Sequence, residues 1–185
     1  MMTAADNETT TANGQPVKPP KLSKEQMAKL TREMFSSFGQ ITTVLMRSAE
    51  HRHAFLAELE WLVVPAILSS QYSISSAVQN NTGLAAPQAV VMWAHVSDLV
   101  DKRLAAGGGK PRLRPHEWTS GQIPWLIDVV GDTKSASSLL KTIVEKRFAK
   151  TGLKTMHRAA DGKYNLQVVR IAAVPAAKPA AEPEA

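Results

Sequence analysis

Residues 125–150 read WLIDVVGDTKSASSLLKTIVEKRFAK, and they decide the kind of fold that this chain adopts. The first six residues are apolar except for Asp128 and are followed by Gly131, so they predict a short buried strand. From Ser135 to Lys150 the apolar residues recur at the spacing of an amphipathic helix, with lysines on the opposite face. The stretch therefore predicts a buried strand followed by an amphipathic helix.

Two hairpins are predicted on either side of this stretch. Residues 71–78 and 88–96 have strand patterns joined by a longish loop. Residues 154–159 and 164–170 form a second hairpin around an Asp-Gly pair at 161–162, for which a type I′ turn is expected. Hairpins flanked by separate helices predict an α/β fold of the α+β kind, with a mostly antiparallel mixed sheet.

Three more helices are predicted. The first opens at a capping box, residues 23–26, and is expected to stop at Gly39. The second starts at about Ala54 and is broken or restarted by Pro65. The third covers residues 98–105 and ends at a glycine triplet. The side chains expected to face inward on the first two helices are Met27, Leu30, Met34, Phe38, Phe55, Leu59 and Leu62.

Length and composition bound the class of protein. The chain has 185 residues, of which 44% are hydrophobic, 21% are charged and none is cysteine. We expect a disordered leader over 1–22, one folded domain over 23–170, and a flexible Ala/Pro-rich tail over 171–185. Without cysteine, a disulfide scaffold, a Cys-ligated metal and a thiol nucleophile are excluded. No long apolar run and no secretory signal are present, so a cytoplasmic protein without a membrane span is expected.

The charge is concentrated in the second half of the sequence. Residues 102–170 carry fourteen Lys/Arg against five Asp/Glu, a net of +9, whereas residues 1–101 carry seven against nine. Such a basic segment predicts an acidic partner, and charge alone allows either nucleic acid or an acidic protein. Aromatic residues make up only 5% of the chain, and no nucleic-acid-binding motif is present. A basic adaptor without catalysis is one hypothesis that follows.

Two residue types are candidates for chemistry. His51 and His53 flank Arg52 ahead of a helix, and they indicate either a solvated cationic turn or a catalytic base. No further ligand stands at a supporting interval, so no metal site is expected. Asp128 lies in a predicted buried strand and must be paired or face a cleft, with a structural salt bridge as the alternative. If His51 lies near Asp128, the two form a base and the group that orients it.

Other chemistries lack their motifs. The turn at 131–133 could present backbone amides to a phosphate, but neither a dinucleotide-binding nor a Walker sequence is present. Ser120 does not stand in the Gly-x-Ser-x-Gly sequence of a hydrolase. Nucleotide hydrolysis and a serine nucleophile are therefore not expected.

Several rare residues recur at fixed spacings. The most specific set is EWTSG at 117–121 followed by WLID at 125–128, and Gly39, Ser48 and His51 form a second set. The remaining matches are Pro65-Ala66-Ile67, Gln71-Tyr72, Pro87, Trp93-Ala94 and Ser97. On these residues the chain resembles the RTX toxin-activating lysine acyltransferases, of the hemolysin-activating type, over about residues 38–170.

The resemblance implies a function and a pair of catalytic residues. The family's catalytic His and Asp fall on His51 and Asp128. A GNAT-like fold is implied, with an acyl-carrier-protein thioester as co-substrate and no cofactor or metal. The fatty acyl group would pass to internal lysines of an RTX protoxin in the cytoplasm, and the basic 102–170 segment would receive the acidic carrier protein.

The sequence allows more than one mechanism, acceptor and oligomeric state. Direct transfer and an acyl-histidine intermediate both fit the residues, a small amine is an alternative acceptor, and homodimerisation is undecided. The acyl groove is expected on the 71–96 hairpin. The sequence departs from the family at Glu50, which replaces a more apolar approach to His51 and allows a different protein substrate.

Overall fold

The computed structural model describes residues 22–78 and 83–170 of the chain. Its elements are α1 (Lys24–Arg47), α2 (Glu58–Leu68), β1 (Tyr72–Val78), β2 (Ala85–Val96), α3 (Asp98–Ala106), a 3-10 turn (Pro115–Glu117), β3 (Ile123–Gly131), α4 (Thr133–Arg147), β4 (Leu153–Arg158) and β5 (Tyr164–Val169). The predicted leader, apart from Leu22, and the predicted tail lie outside the described residues, so the domain boundaries stay a prediction. The described residues up to Glu33 belong to one compact unit and those from Met34 to a second, which contains all five described strands.

The five strands form one sheet in the order β1-β2-β3-β4-β5. Neighbouring strands are antiparallel except β3 and β4, which are parallel and connected by α4. The predicted α+β class, with a mostly antiparallel mixed sheet and flanking helices, is confirmed, and the arrangement is consistent with a GNAT-like fold. No helix in the described ranges combines the length and the apolar character needed to cross a bilayer.

Strand β2 separates the two hydrophobic layers of the second unit. Val90, Met92, Ala94 and Val96 pack with residues of α1, α2 and α3, whereas Val91 and Trp93 pack with residues of α4. This alternation buries both faces of the strand, and each large side chain removed from water contributes about 1.5–3 kcal/mol. The site described below lies on the α1 and α2 side.

The predicted stop of the first helix at Gly39 is wrong. The capping box is confirmed, because the backbone N–H of Gln26 donates to Ser23 Oγ at 3.1 Å and Ser23 N–H donates to Gln26 Oε1 at 2.8 Å. However, α1 continues to Arg47 and includes Gly39 in helical conformation. Beyond it the helix buries Ile41, Val44 and Leu45 completely or nearly so. That burial outweighs the cost of about 1 kcal/mol for a glycine inside a helix.

The second helix also differs from its prediction. It begins at Glu58 rather than near Ala54, so Phe55, expected to face inward, lies before the helix and is 80% exposed. Pro65 lies inside the helix and does not break it. A proline has no N–H to donate to the carbonyl four residues earlier. Here that carbonyl, of Trp61, accepts a hydrogen bond from Trp118 Nε1 at 3.2 Å instead.

The strand predicted at 125–130 and both predicted hairpins are confirmed, but the type I′ turn is wrong. That turn requires positive φ at both central residues, and of the pair only Gly162 has one, at +84°. The connection instead spans residues 159–163 and is closed by Ala159 N–H donating to the Lys163 carbonyl at 2.8 Å. The carboxylate of Asp161 accepts from Lys163 N–H at 3.0 Å, which satisfies the loop locally.

Candidate active site

A β-bulge in β3 determines where Asp128 points. Met92 of β2 lies opposite Asp128 and Trp93 lies opposite Leu126, so Ile127 is an extra residue in β3. Successive side chains of a regular strand face opposite sides, whereas the two residues of a bulge can share a side. Ile127 accordingly packs with residues of α1 and α2, while Asp128 reaches His51 in the connection between these helices.

His51 is held by the turn that follows α1. His51 N–H and Arg52 N–H both donate to the Ser48 carbonyl, at 3.3 and 2.9 Å, and the His51 carbonyl accepts from Ala54 N–H at 2.9 Å. The imidazole is only 13% exposed, whereas Arg52 and His53 are exposed. The interpretation as a solvated cationic turn therefore applies to Arg52 and His53 but not to His51.

Three side chains form a continuous hydrogen-bonded line. His51 Nε2 lies 2.8 Å from Asp128 Oδ2, and His51 Nδ1 lies 3.1 Å from Ser48 Oγ. The other carboxylate oxygen, Asp128 Oδ1, accepts from Val129 N–H at 2.9 Å. Because an ionised carboxylate only accepts, the proton of a neutral imidazole lies on Nε2, and Nδ1 accepts from the Ser48 hydroxyl. Nδ1 is thus the basic nitrogen.

A cavity of about 390 Å³ opens beside His51 and Asp128. Its apolar wall consists of Leu45, Leu59, Trp61, Leu62 and Ile127. These residues belong to α1, α2 and β3, so the cavity next to the His–Asp pair is not formed by the 71–96 hairpin on which the acyl groove was expected. The cavity therefore joins an apolar wall to a base and a carboxylate, the combination that a reaction on an apolar substrate needs.

Charged groups line the rest of the same cavity. Lys110 Nζ donates to Glu50 Oε2 at 2.5 Å, and the Arg112 guanidinium lies 4.8 Å from the centre of the Trp61 ring. Burial by itself lowers the pKa of Lys110. The hydrogen bond to Glu50 and the negative charges of Asp128 and Glu50 outweigh that effect, so the pKa of Lys110 is raised.

The most specific sequence motif, residues 117–121, has a structural role. Glu117 is buried and accepts from Arg103 Nη2 at 2.6 Å and from Arg114 N–H at 2.7 Å. Ser120 Oγ accepts from Ser97 N–H at 3.0 Å. A Cβ on Gly121 would lie 2.4 Å from the Val96 carbonyl oxygen, so only glycine fits that close approach. The motif fixes the loop against the end of β2 and contributes no group to the cavity.

A second polar network was not predicted from the sequence. Gln71 is buried and donates from Nε2 to the Trp118 carbonyl at 3.1 Å, and its Oε1 lies 3.1 Å from His95 Nδ1. Burial lowers the pKa of His95, so this imidazole is held neutral. The network, like residues 117–121, ties the loop to the sheet.

Two charged residues of the cavity were also not predicted as site residues. Glu50 was noted only as a departure from the family, and Lys110 lies in a loop that the sequence left without a role. Sixty positions separate them, so no spacing in the sequence indicates that they meet. Within the described ranges, no group of three or more His, Asp or Glu side chains is placed to hold a metal ion.

Together, the mixed five-stranded sheet and the contact between Asp128 on its central strand and His51 in the α1–α2 connection define an α+β, GNAT-like protein with a His–Asp pair beside an apolar cavity. The chain belongs to the RTX toxin acyltransferase family, whose sequence model matches residues 30–172. The family predicted from the motifs is confirmed.

A curated relative has a related sequence. A leukotoxin-activating lysine-acyltransferase from Pasteurella haemolytica-like sp. (strain 5943B) is 29% identical over 116 residues. The match covers 63% of this chain and 66% of the relative, just under two thirds of its length.

Proposed function

We propose that this chain is a protein-lysine acyltransferase that transfers a fatty acyl group from an acyl-carrier-protein thioester to internal lysines of an RTX-type protoxin and thereby activates it. The observation that carries the proposal is the 2.8 Å contact between His51 and Asp128 beside an apolar cavity, in a chain of this family. The name of the relative, a leukotoxin-activating lysine-acyltransferase, supports the acceptor and the outcome.

Lysine acylation needs a base. A free lysine has a pKa of about 10.4 and is protonated at neutral pH, so its proton must leave before the amine attacks. Imidazole exchanges protons near neutral pH and suits this role. In the proposed mechanism Nδ1 of His51 takes the proton, directly or through the Ser48 hydroxyl that contacts it. Asp128 holds the Nε2 proton and stabilises the imidazolium that forms.

The acyl group is then transferred from the thioester to the amine. The neutral amine attacks the thioester carbonyl, a C–N bond forms, and the C–S bond breaks as the tetrahedral intermediate collapses. The carrier leaves as a thiolate and receives the proton of the imidazolium. The nitrogen loses its second proton to the regenerated imidazole, which releases that proton to solvent. In an acyl-histidine variant Nδ1 first attacks the thioester, and the C–S bond breaks as the thiolate leaves. The amine, after giving its ammonium proton to that thiolate, attacks the acyl group, the Nδ1–C bond breaks, and the freed imidazole takes the remaining proton. The apolar wall beside His51, including Leu59, Leu62 and Ile127, would receive part of the acyl chain.

The donor is proposed to be a carrier protein on the basis of charge. The +9 segment over 102–170 offers an acidic protein a surface of opposite sign. Arg112 lines the cavity and makes no ion pair among the described residues, so its charge is available to an incoming anionic group. The reaction is proposed to take place in the cytoplasm, without a metal or a bound cofactor.

The proposal is tested by co-expressing the chain with an RTX-type protoxin and measuring the intact mass of the protoxin. The leukotoxin-activating relative with its leukotoxin serves as the positive control. We expect one or more acyl increments that map to lysines with the wild-type chain and with Arg32→Ala, a change at an exposed residue of α1 that does not line the cavity, and none with His51→Ala. An unmodified protoxin with the wild-type chain contradicts the function, and full modification with His51→Ala contradicts the role of His51.

The basic adaptor remains the rival hypothesis, supported by the +9 segment. Binding without catalysis does not explain the His51–Asp128 contact. Strong and steeply salt-dependent binding to DNA, with no acyl transfer, would favour it.

A further inference from the structure

The cavity beside the His–Asp pair already contains a lysine. Lys110 Nζ donates to Glu50 Oε2 at 2.5 Å, and both residues line the cavity together with His51 and Asp128. Glu50 immediately precedes His51 and lies in the turn that also carries Ser48. The ammonium of Lys110 is thus bound by Glu50, the residue that directly precedes the proposed base His51.

Glu50 differs from the other carboxylates of the cavity. The Asp128 carboxylate is hydrogen-bonded to His51 and to Val129 N–H, and Glu58 Oε2 accepts from the Phe55 N–H at 3.2 Å. Glu50 has Lys110 as its hydrogen-bonded partner among the described residues. It is therefore the carboxylate of this cavity that is paired with a side-chain ammonium, and the negative surroundings favour that ammonium despite partial burial.

The contact differs in origin from an ion pair on a helix surface, although both pairs are largely exposed: 51% and 67% for Lys110 and Glu50, 65% and 49% for Lys141 and Glu145. On α4, Lys141 and Glu145 are four positions apart and 3.9 Å from each other, and their proximity follows from the helix itself. Glu50 and Lys110 are sixty positions apart and come from two separate loops. Their meeting point is the cavity that the proposed reaction uses.

The backbone before Lys110 permits its side chain to move away from Glu50. It follows Gly107, Gly108 and Gly109, and its side chain is 51% exposed. Gly108 has φ at +59°, and nothing lies within 4 Å of where its Cβ would be. Glycines restrict the backbone least, so Lys110 can withdraw from Glu50 without disturbing a packed core.

We propose that Glu50 binds the ammonium of the acceptor lysine, and that Lys110 fills this place as an internal substitute in the free protein. The inference rests on the proposed lysine acylation. The incoming lysine replaces Lys110 on Glu50, and its amine is then deprotonated at the adjacent His51.

The test is a double-mutant cycle on acylation kinetics with purified protoxin as the varied substrate. Glu50→Gln should raise KM for the protoxin about threefold to tenfold, the range between an exposed ion pair and a charge-assisted hydrogen bond, with kcat changed less than twofold. Lys110→Gln should lower KM about twofold to fivefold by removing the competitor. In the Glu50→Gln background Lys110→Gln should have no further effect, because the shared partner is gone. Lys29→Gln removes a paired lysine from α1, outside the 102–170 segment, and should change neither constant.

The outcomes separate the two proposals. If the wild-type chain transfers no acyl group, the proposed function fails and this inference fails with it. If transfer occurs with KM unmoved by both single variants, or with the two effects simply additive, the proposed function stands and the inference is overturned.

Discussion

His51 Nε2 lies 2.8 Å from Asp128 Oδ2, although 77 positions separate the two residues in the chain. The contact depends on two local features: the turn after α1 that presents the imidazole, and the bulge at Ile127 that brings Asp128 to the same side of the sheet as the α1–α2 connection. Bulges often redirect a side chain next to an active site. The proposed chemistry rests on this contact.

Ser48 is predicted to tune the base. Its hydroxyl lies 3.1 Å from His51 Nδ1, the nitrogen that must receive the amine's proton. Ser48→Ala removes that partner, and we expect kcat to fall about fivefold, in line with a net hydrogen-bond worth of about 1 kcal/mol. Steady-state kinetics measure the loss, and Ser48→Thr, which keeps the hydroxyl, should retain most of the rate. Equal losses in Ala and Thr would show that the hydroxyl has no part in it.

Two glycines are predicted to respond to alanine in opposite directions. Gly121→Ala places a Cβ 2.4 Å from the Val96 carbonyl oxygen and 2.6 Å from Ser97 Cα, both backbone atoms, and should destabilise the fold by about 1–3 kcal/mol. Gly39→Ala lies in a helix with nothing within 4 Å of the new Cβ and should stabilise it by about 0.5–1 kcal/mol. Urea unfolding of both variants measures the difference. Similar stabilities would contradict the close approach at Gly121.

His95 predicts a pH-dependent part of the stability. Burial lowers the pKa of His95 in the folded chain, whereas the unfolded chain has the ordinary value of about 6.5. As the pH falls, the unfolded state therefore binds the proton first, so the contribution is complete above about pH 6.5 and is lost below it. The free energy of unfolding, measured at pH 7.5 and pH 5, should fall more for wild type than for His95→Gln. A larger fall in His95→Gln would reverse the sign and contradict the burial.

Pro65 and Trp118 are predicted to be coupled. Trp118 Nε1 donates to the Trp61 carbonyl, to which Pro65 cannot donate because proline has no N–H. Trp118→Phe should therefore cost about 1 kcal/mol less when residue 65 is alanine, whose N–H can take over that carbonyl. A double-mutant cycle of unfolding free energies isolates this term from the cavity that each change creates. Equal costs in the two backgrounds would show that the indole bond does not replace the helical one.

The regular elements were predictable because they follow periodicity. The strand at 125–130, both hairpins and α4 bury continuous or alternating apolar sets, and these patterns depend on local sequence alone. The bulge was not predictable, since an extra Ile127 in an almost uniformly apolar strand leaves no mark on the pattern. The helix end predicted at Gly39 and the break predicted at Pro65 are wrong for the same reason. Glycine and proline disfavour a helix locally, but tertiary contacts outweigh that preference here.

The candidate site was partly predictable in the same sense. His51 and Asp128 stood out by residue type and by their matched motifs, and the structure places them in contact, while their catalytic role stays a proposal. The apolar wall and the Glu50–Lys110 pair did not stand out. They are assembled from α1, α2, β3 and two loops, and only the folded chain shows that these segments meet.

Asp128→Asn tests whether the His51–Asp128 pair performs acyl transfer to lysine. The amide keeps the size of the side chain but can donate to Nε2, which favours the imidazole tautomer with its proton on Nδ1 and so removes the base. In single-turnover assays with acyl carrier protein as donor and protoxin as acceptor, we predict that the rate of lysine acylation falls by roughly 10³-fold or more, with an unchanged unfolding midpoint. A folded Asp128→Asn variant that acylates lysine within about threefold of the wild-type rate would show that this pair does not carry out the transfer.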